Sequence, residues 1–269
     1  MIKFSVITIT YNAASVLERT LESVASQTYP VIEHIIVDGA SEDTTVAIAE
    51  EYRRQTEKAC NGHQVYVTSE PDRGLYDAMN KGLERAAGTY VVFMNAGDTF
   101  ASPATLEEIA EKAGLNVMEN EGLPLPAVLY GDTDIYDAHG NYLRHRHLSA
   151  PEQLSWRSFR NGMLVCHQSF YARTDIAKRF RYDLKYRYSA DVDWCICVMK
   201  EAERRALSLE NVHQVVTHYL QEGQTTLHHR ESLKERFSVM CRHYGTLVTL
   251  FMHLLFAFRT LKRNRSSIR

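Results

Sequence analysis

Two stretches decide the fold of this chain: Glu70-Pro-Asp-Arg-Gly-Leu-Tyr-Asp-Ala-Met-Asn-Lys-Gly82 and Tyr90-Val-Val-Phe-Met-Asn-Ala-Gly-Asp98. The second is an apolar strand that stops at Asn95 and is followed by a carboxylate, Asp98. Ligands of an open α/β sheet lie beyond the carboxyl ends of its strands, and a carboxylate there can hold a divalent cation against a phosphate. The sequence therefore predicts a ligand site at the end of this strand.

The same arrangement occurs twice upstream. A β-branched run over residues 4–9 leads into Thr10-Tyr11-Asn12, and a second run over residues 32–37 leads into Asp38-Gly39-Ala40-Ser41. Because the carboxyl ends of parallel strands meet at one edge of a sheet, the three polar clusters are expected to lie together. Their convergence indicates a binding site.

Strand and helix patterns alternate through the first half of the chain. Apolar side chains at helical spacing separate the apolar runs that we predict as strands. The predicted helices are 16–24, 44–52 and 75–87, and the predicted strands are 4–9, 32–37, 64–68 and 90–94. This alternation predicts an α/β fold with a parallel sheet and right-handed crossovers.

After residue 115 the regular alternation of predicted strands and helices ends. The sequence predicts a strand at 127–130, a hairpin that turns at His139-Gly140, and helices at 191–203 and 230–243. We interpret this half as an extension of the same sheet and not as an independent domain.

Composition and charge exclude several classes of protein. A chain of 269 residues with 45% hydrophobic residues can bury a large core. Its net charge of −2 offers no electrostatic basis for binding nucleic acid. Five cysteines without a C-x-x-C pair indicate reduced thiols. The first residues enter a strand directly, so we expect no signal peptide and a cytoplasmic location.

Several stretches taken together resemble one family. The close matches are Ser5-Val-Ile-Thr-Ile-Thr-Tyr-Asn12, Ile36-Val-Asp-Gly-Ala-Ser-Glu-Asp-Thr44, residues 70–82 and Asn95-Ala-Gly-Asp98, and looser ones are Cys166-His-Gln-Ser-Phe170 and Ser189-Ala-Asp-Val-Asp193. In this order they resemble the family 2 inverting nucleotide-sugar glycosyltransferases of the bacterial polysaccharide-biosynthesis type. The resemblance implies a GT-A-type, Rossmann-like single domain with a mostly parallel central sheet and an acceptor-side extension. On this basis residues 1–115 are the nucleotide-sugar-binding half, 116–245 the acceptor-side half, and 246–269 an apolar and basic tail.

The resemblance implies a donor site at the first three strand ends. A hydroxyl, a ring and an amide would bracket a uracil ring, and the carboxylate that ends the second strand would accept the imide hydrogen of uracil. Two cations near the end of the third strand would neutralise the diphosphate. These residues are Thr10, Tyr11, Asn12, Asp38, Arg73 and Lys81. Simpler roles stay open: Asn12 as the cap of the following helix, Asp38 as a cap of the Gly39-Ala40 turn, and Lys81 as a solvated surface side chain.

The fourth strand end departs from the family's commonest pattern. Many members carry Asp-x-Asp-Asp where this chain has Asn95-Ala96-Gly97-Asp98, so two of three carboxylates are missing. One carboxylate can suffice, because Mg²⁺ keeps several waters and takes substrate phosphates as ligands. We therefore expect a divalent metal cofactor, Mg or Mn, held by Asp98, with Asn95 facing the ribose.

Inverting transfer needs a base that takes the proton of the acceptor hydroxyl. The family places an acidic pair at the position of Ala190-Asp191, and its second member is the base. Asp191 is therefore the expected catalytic residue, and Asp193 is its rival. The alternative is that Asp191 is only an acid at a helix N-terminus, where the macrodipole favours it. By resemblance alone, His167 and Gln168 border the acceptor cleft.

The C-terminal stretch is apolar over residues 247–258 and is followed by Arg259, Lys262, Arg263, Arg265 and Arg269. An apolar run of this length is too short to span a bilayer, which takes about 20 residues. Two interpretations stay open: a helix lying in the membrane interface with its basic end on anionic lipid, and a helix packed on the core. The first would place the protein peripherally on the inner face of the membrane.

The expected function is the transfer of a sugar, with inversion, from a nucleoside diphosphate sugar to a glycan or lipid-linked glycan. Uridine is the expected nucleoside, and a hexose or N-acetylhexosamine the expected sugar. One alternative is a non-catalytic nucleotide-sugar-binding module, suggested by the thinned cluster at residues 95–98. A less favoured one is a nucleotidyltransferase, which usually carries a Gly-rich loop after its first strand; residues 10–16 contain no glycine.

Overall fold

The computed structural model of the chain describes residues 2–112, 114, 124–221 and 229–266. Within these ranges nine strands form a single sheet. They are β1 (Phe4–Thr10), β2 (Ile32–Asp38), β3 (Gln64–Ser69), β4 (Tyr90–Phe93), β5 (Thr99–Phe100), β6 (Val128–Tyr136), β7 (Tyr142–His145), β8 (Phe170–Arg173) and β9 (Leu209–Leu220).

Helices connect these strands and cover the sheet. The α-helices are α1 (Ala14–Ala25), α2 (Thr45–Ala59), α3 (Leu75–Arg85), α4 (Thr105–Lys112), α5 (Thr174–Ala177), α6 (Ala190–Arg204), α7 (His229–Tyr244) and α8 (Thr246–Ser266). Two short 3-10 helices span Trp156–Asn161 and His167–Ser169. The helices predicted at 191–203 and 230–243 are confirmed by α6 and α7.

The strand order is β3-β2-β1-β4-β8-β6-β9-β5, and β7 pairs with β6. Parallel pairs join β1 to β2 and β4, β2 to β3, and β6 to β9. The antiparallel pairs are short, and each includes a strand that follows β4. The predicted single α/β domain with a mostly parallel sheet is confirmed, and the second half of the chain extends that sheet.

Every residue of β1 and β2 is buried, because helices cover both faces of this part of the sheet. On one face Ile7 belongs to the same buried cluster as Met79 of α3. On the other face Ile36 belongs to a cluster with Leu17 of α1. A parallel strand buried on both faces reads as a continuous apolar run, which is the pattern that marked these strands in the sequence.

The carboxyl ends of the first three strands are level. Thr10 is the register partner of Asp38, and Asp38 is the register partner of Ser69. Beyond β4, the N–H of Ala96 donates to the carbonyl of Ile9 at the end of β1. The three predicted polar clusters, which follow β1, β2 and β4, therefore stand at one edge of the sheet.

The C-terminal helix α8 packs on α7, where the ring of His253 meets the ring of Phe237 edge-on with 5.0 Å between centroids. On the same helix Leu247, Phe251 and Leu254 are 83%, 61% and 70% exposed. Packing on the domain and an outward apolar face thus coexist in α8. In the described ranges, the structure has no helix with enough length and apolar character to cross a membrane. Arg269 lies outside the described residues.

Candidate functional site

Asp38 organises the turn that follows β2. Its carboxylate is fully buried and accepts hydrogen bonds from the backbone N–H of Ser41 (2.8 Å), from the Ser41 hydroxyl, and from the Ser69 hydroxyl (2.7 Å). A carboxylate offers roughly four lone-pair sites, so three donors leave about one free. Asp38 therefore fills the turn-capping role and keeps capacity for one further donor, while its contact with a nucleobase stays a prediction.

Gly39, next in this turn, allows a close approach of the loop after β3. A Cβ at this position would lie 2.5 Å from Oδ2 of Asp72 and 3.3 Å from Cδ2 of Tyr11. The Tyr11 ring is 61% exposed. An exposed ring and a carboxylate thus converge over a glycine, which is a shape suited to a flat ligand. Sequence reasoning did not single out Asp72, although it lies in the quoted stretch 70–82.

Asn12 joins the loops after β1 and β2. Its backbone adopts a positive φ of 46°, its N–H donates to the Ser41 hydroxyl (2.8 Å), and its side-chain oxygen accepts from the N–H of Glu42 (2.9 Å). The neighbouring Thr10 hydroxyl is buried and has no hydrogen-bond partner among the described residues. A buried polar atom without a partner is unfavourable, so a ligand group at this edge would satisfy it.

The two predicted diphosphate cations are engaged elsewhere in the structure. Arg73 is 78% exposed and pairs with Asp77 at 3.1 Å. The Lys81 ammonium donates to the carbonyl of Pro71 (2.7 Å) and pairs with Glu70 at 3.2 Å. Both contacts stay within the β3–α3 segment, so a role in phosphate binding remains a prediction for both side chains.

Asn95 and Asp98 form a turn after β4 in which the N–H of Asp98 donates to the carbonyl of Asn95 (2.9 Å). Gly97 occupies the third position with φ of 99°, where a Cβ would lie 2.5 Å from Cδ2 of Leu220. The positive φ therefore favours glycine at this position, whereas the end of the Leu220 side chain could shift to make room for a Cβ. The turn aims the Asp98 carboxylate back into the protein.

The Asp98 carboxylate is 3% exposed and is held from two distant segments. Gln168 donates to its Oδ2 (2.8 Å), and the N–H of Leu220 donates to its Oδ1 (2.9 Å). Burial raises the pKa of Asp98 to about 6, and the two hydrogen bonds offset this only in part. The chain thus holds a carboxylate that is costly to ionise without a nearby positive charge.

The donor set beside Asp98 fits a hard divalent cation. Each carboxylate oxygen accepts one hydrogen bond and retains a further lone pair, and metal-bound carboxylates are commonly hydrogen-bonded in this way. The side-chain oxygen of Asn95 is buried and has no hydrogen-bond partner in the described ranges. A cation here would also favour the ionised form of Asp98.

Asp191 stands at the start of α6, where its side chain is 15% exposed. The Tyr76 hydroxyl donates to its Oδ1 (3.0 Å), and Nδ1 of His167 lies 3.4 Å from its Oδ2. Burial by itself would raise the pKa of this carboxyl. His167, Arg236 and Tyr76 together lower the pKa by more than burial raises it, so the net shift is downward. Asp191 is therefore ionised at neutral pH and able to accept a proton.

His167 connects Asp191 to the end of β4. Its Nε2 lies 3.4 Å from Nδ2 of Asn95, while its Nδ1 faces Asp191. The next residue, Gln168, holds Asp98. The 3-10 helix at 167–169 therefore brings the predicted base and the predicted metal ligand to one region, although 93 positions separate them in the sequence (191 minus 98).

Tyr219 of β9 is a further residue of this region that sequence reasoning missed. Burial raises its pKa, and the negative charges of Asp98 and Asp191 raise it further. The side chain thus lies within electrostatic reach of both carboxylates. Apolar and polar side chains do not alternate in residues 209–220, so this stretch carries no clear strand signal that could have identified Tyr219.

Asp193 has a different environment. Its carboxylate is 3% exposed and accepts from Arg242 (3.0 and 3.1 Å) and from Nε2 of His243 (2.7 Å), both on α7. Cys197 lies close to Asp193 and His243, but the ion pair with Arg242 already compensates this carboxylate, and we assign no metal here. Asp193 therefore links α6 to α7.

Comparisons with known proteins show which family this chain resembles. The sequence model of the family "Glycosyl transferase family 2" matches residues 5–180. A PGL/p-HBAD biosynthesis glycosyltransferase of Mycobacterium bovis is 32% identical over 234 residues, which cover 86% of this chain and 82% of that protein. The putative teichuronic acid biosynthesis glycosyltransferase TuaG of Bacillus subtilis is 36% identical over 143 residues, covering 49% and 55% of the two chains.

Solved structures share the fold. S. aureus TarS 1-349 in complex with UDP-GlcNAc matches with a TM-score of 0.63 and 20% identity, over 88% of this chain and 64% of that one. The mannosyltransferase PcManGT from Pyrobaculum calidifontis, in complex with GDP-Man and Mn2+, matches with a TM-score of 0.60 and 18% identity, over 94% and 70%. This chain spans 38% of a longer TarS structure. The family model and the mycobacterial relative together show that this chain belongs to glycosyl transferase family 2.

Proposed function

We propose that this chain transfers a hexosyl or N-acetylhexosaminyl group from a uridine diphosphate sugar to a glycan or lipid-linked glycan, with inversion at the anomeric carbon. The observation that carries the proposal is the convergence of Asn95, Asp98, His167 and Asp191 beside the level strand ends of Thr10 and Asp38. This convergence supports a donor site with a base next to it.

The donor would occupy the edge formed by β1, β2 and β4. Its uracil would lie over Gly39 against the exposed Tyr11 ring, with the imide N–H directed to the remaining lone pair of Asp38. The buried hydroxyl of Thr10 and the side-chain oxygen of Asn95 supply polar atoms that need partners. Arg73 and Lys81 would have to leave Asp77 and Glu70 to reach the diphosphate.

Asp98, with Asn95 beside it, would hold a divalent cation, Mg or Mn, at this edge. When bound, the cation would neutralise charge on the diphosphate leaving group. The Asp98 side chain would then be ionised, which its burial otherwise disfavours. Gln168 and Leu220 would keep the carboxylate in place by their hydrogen bonds.

Asp191 would act as the base. As the acceptor hydroxyl oxygen forms its bond to the anomeric carbon, the bond from that carbon to the diphosphate oxygen breaks, and its electron pair leaves with UDP. The proton of the hydroxyl passes to the carboxylate of Asp191. Attack on the face opposite the leaving group inverts the anomeric centre. Asp193 is disfavoured as the base because Arg242 and His243 occupy its carboxylate.

The two halves of the chain would divide this work. Residues 1–115 supply the edge for the nucleotide sugar, and residues 116–245 supply His167, Gln168 and Asp191 on the acceptor side. The tail from residue 246 would contact the inner face of the membrane through the exposed side chains Leu247, Phe251 and Leu254, next to a basic segment of the sequence. Such contact would suit a lipid-linked acceptor.

A panel of UDP-sugars tests the proposal. The protein is incubated with each sugar, with and without Mn²⁺, and release of UDP is measured. We expect metal-dependent release from at least one UDP-sugar. Binding of UDP without turnover of any sugar would favour a non-catalytic module, and release of pyrophosphate from a nucleoside triphosphate plus sugar phosphate would favour a nucleotidyltransferase.

A further inference from the structure

We propose that Tyr76 and His167 are positioning residues that hold the carboxylate of Asp191 in one orientation toward the acceptor. The inference rests on the proposed role of Asp191 as base. It assigns a function to Tyr76 of the stretch 70–82, which lies 115 positions before Asp191 in the sequence.

Tyr76 is rigidly placed. It is 6% exposed on α3, and its ring stacks on that of Tyr182 with 5.5 Å between centroids and 14° between planes. From this position its hydroxyl donates to Oδ1 of Asp191 at 3.0 Å. A carboxylate oxygen that accepts one hydrogen bond keeps a second lone pair, so this contact fixes the carboxylate without blocking it as a proton acceptor.

His167 fixes the other side of the same carboxylate. One ring nitrogen lies 3.4 Å from Oδ2 of Asp191 and the other lies 3.4 Å from Nδ2 of Asn95. The ring therefore spans the gap between the base and the end of β4. A carboxylate held between a tyrosine and a histidine keeps one position relative to the donor edge, which matters because small displacements of reacting groups slow the reaction strongly.

The Tyr76 hydrogen bond also sets how readily Asp191 ionises. Burial raises the pKa of Asp191, and the contacts with His167, Arg236 and Tyr76 bring it below its usual value. The other titratable groups within electrostatic reach, neutral in their usual state, are Cys166, Tyr182, Cys195 and Tyr219. Loss of the Tyr76 hydroxyl therefore removes a donor to the charged form, and the pKa of Asp191 should rise.

Tyr76→Phe tests this inference, and Tyr182→Phe is the matched control. The Tyr182 hydroxyl is buried and lacks a hydrogen-bond partner in the described part of the chain, so its removal alters the same ring stack but spares the bond to Asp191. The pKa of Asp191 is read from its carboxyl ¹³C resonance in aspartate-labelled protein, assigned by its loss in Asp191→Asn. Turnover is read as UDP release from the UDP-sugar hydrolysed fastest in the panel.

We expect Tyr76→Phe to raise the pKa of Asp191, to move the acidic limb of the rate profile to higher pH, and to lower kcat about tenfold with KM for the donor unchanged. Tyr182→Phe should change none of these. In the Asp191→Asn background, Tyr76→Phe should cost no further activity, because its effect passes through Asp191. An unshifted pKa, or equal losses in the two Tyr→Phe variants, overturns the inference while the base remains. Full activity of Asp191→Asn overturns the base itself and the inference with it.

Discussion

The side-chain amide of Gln168 donates a 2.8 Å hydrogen bond to Oδ2 of Asp98, across 70 positions of sequence. The other oxygen of the same carboxylate accepts from the N–H of Leu220, which is 122 positions away. The end of β4 is thereby held by the 3-10 helix before β8 and by the end of β9. A carboxylate of the first half of the chain is thus held by two segments of the second half, and its protonation should be visible in the stability of the whole domain.

Asp98 should make the protein less stable as the pH rises. Burial raises its pKa from 3.8 to about 6. The folded protein therefore keeps a proton that the unfolded chain loses between these values, so the free energy of unfolding falls as pH rises from 3.8 through about 6. A shift of this size corresponds to about 3 kcal/mol. Urea unfolding of metal-free protein between about pH 3 and pH 7, roughly one unit beyond each pKa, measures it.

Asp98→Asn is the control for this pH dependence, since an amide does not titrate. The stability of the variant relative to the unsubstituted protein should grow between about pH 3 and pH 7, roughly one unit beyond each pKa. Parallel pH profiles of the two proteins would show that the pKa of Asp98 is the same in the folded and the unfolded protein. Added Mn²⁺ and UDP should stabilise the unsubstituted protein at neutral pH and leave Asp98→Asn unchanged.

Asp38→Ala should weaken binding of UDP. The substitution removes the acceptor expected for the uracil imide and also leaves the donors at Ser41 and Ser69 without their partner. A lost acceptor for a buried donor costs roughly 1–3 kcal/mol, and calorimetric titration with UDP measures this. Ser69→Ala is the control, because it removes one donor to Asp38 and keeps the carboxylate. Equal UDP affinity in Asp38→Ala and the unsubstituted protein would limit Asp38 to capping its turn.

The first half of the fold could be predicted from the sequence because its signals are local. Strands buried on both faces give apolar runs, and the polar residues directly after them mark one sheet edge. The helix predicted at 44–52 nevertheless continues to Ala59 as α2. Charged pairs such as Arg53 with Glu57 (2.6 Å) stabilise the last two turns of this helix. Because these turns present mostly charged side chains, they lack the apolar spacing by which a helix is predicted.

The support of the candidate site could not be predicted from the sequence, because it depends on contacts between distant segments. Leu220 holds Asp98 through its backbone N–H, which every residue type except proline provides. Likewise, the position of Tyr76 on α3 gives no local sign that its hydroxyl reaches Asp191. The burial of Asp98 also differs from the expectation. Its position just after a strand predicted that it lies at the edge of the sheet, but not that its carboxylate is buried.

The outward face of α8 should bind anionic vesicles. Triple substitution of Leu247, Phe251 and Leu254 by serine removes apolar side chains that are largely exposed, so the fold should persist while the interaction weakens. Each such side chain contributes up to roughly 1.5–3 kcal/mol when fully buried, so we expect at least a tenfold loss in vesicle co-sedimentation. Leu143→Ser, on the exposed strand β7, serves as the control.

Two other outcomes would change this assignment of the tail. Deletion of residues 246–269 should also release the protein from vesicles; if the truncated chain unfolds instead, α8 belongs to the core. If light scattering shows that the unsubstituted protein is a dimer and the triple variant a monomer, the face binds a second copy of the chain and not lipid.

The roles of Asp98 and Asp191 can be separated by their effects on donor binding and on transfer. Asp98 is held beside the donor edge, so Asp98→Ala should lose metal-dependent UDP binding as well as turnover. Asp191 lies on the acceptor side against His167. Asp191→Asn keeps the size of the side chain but cannot act as the base, so UDP affinity should persist while turnover falls about a hundredfold or more.

Asp193→Asn completes this comparison. The Asp193 carboxylate pairs with Arg242 and His243, so its substitution should lower the free energy of unfolding and leave the pH profile of turnover in place. Near-normal turnover in Asp191→Asn together with a loss in Asp193→Asn would transfer the role of base to Asp193. Equal loss of UDP binding in Asp98→Ala and Asp191→Asn would mean that Asp191 helps to build the donor site, because a base that touches only the acceptor has no reason to alter UDP affinity.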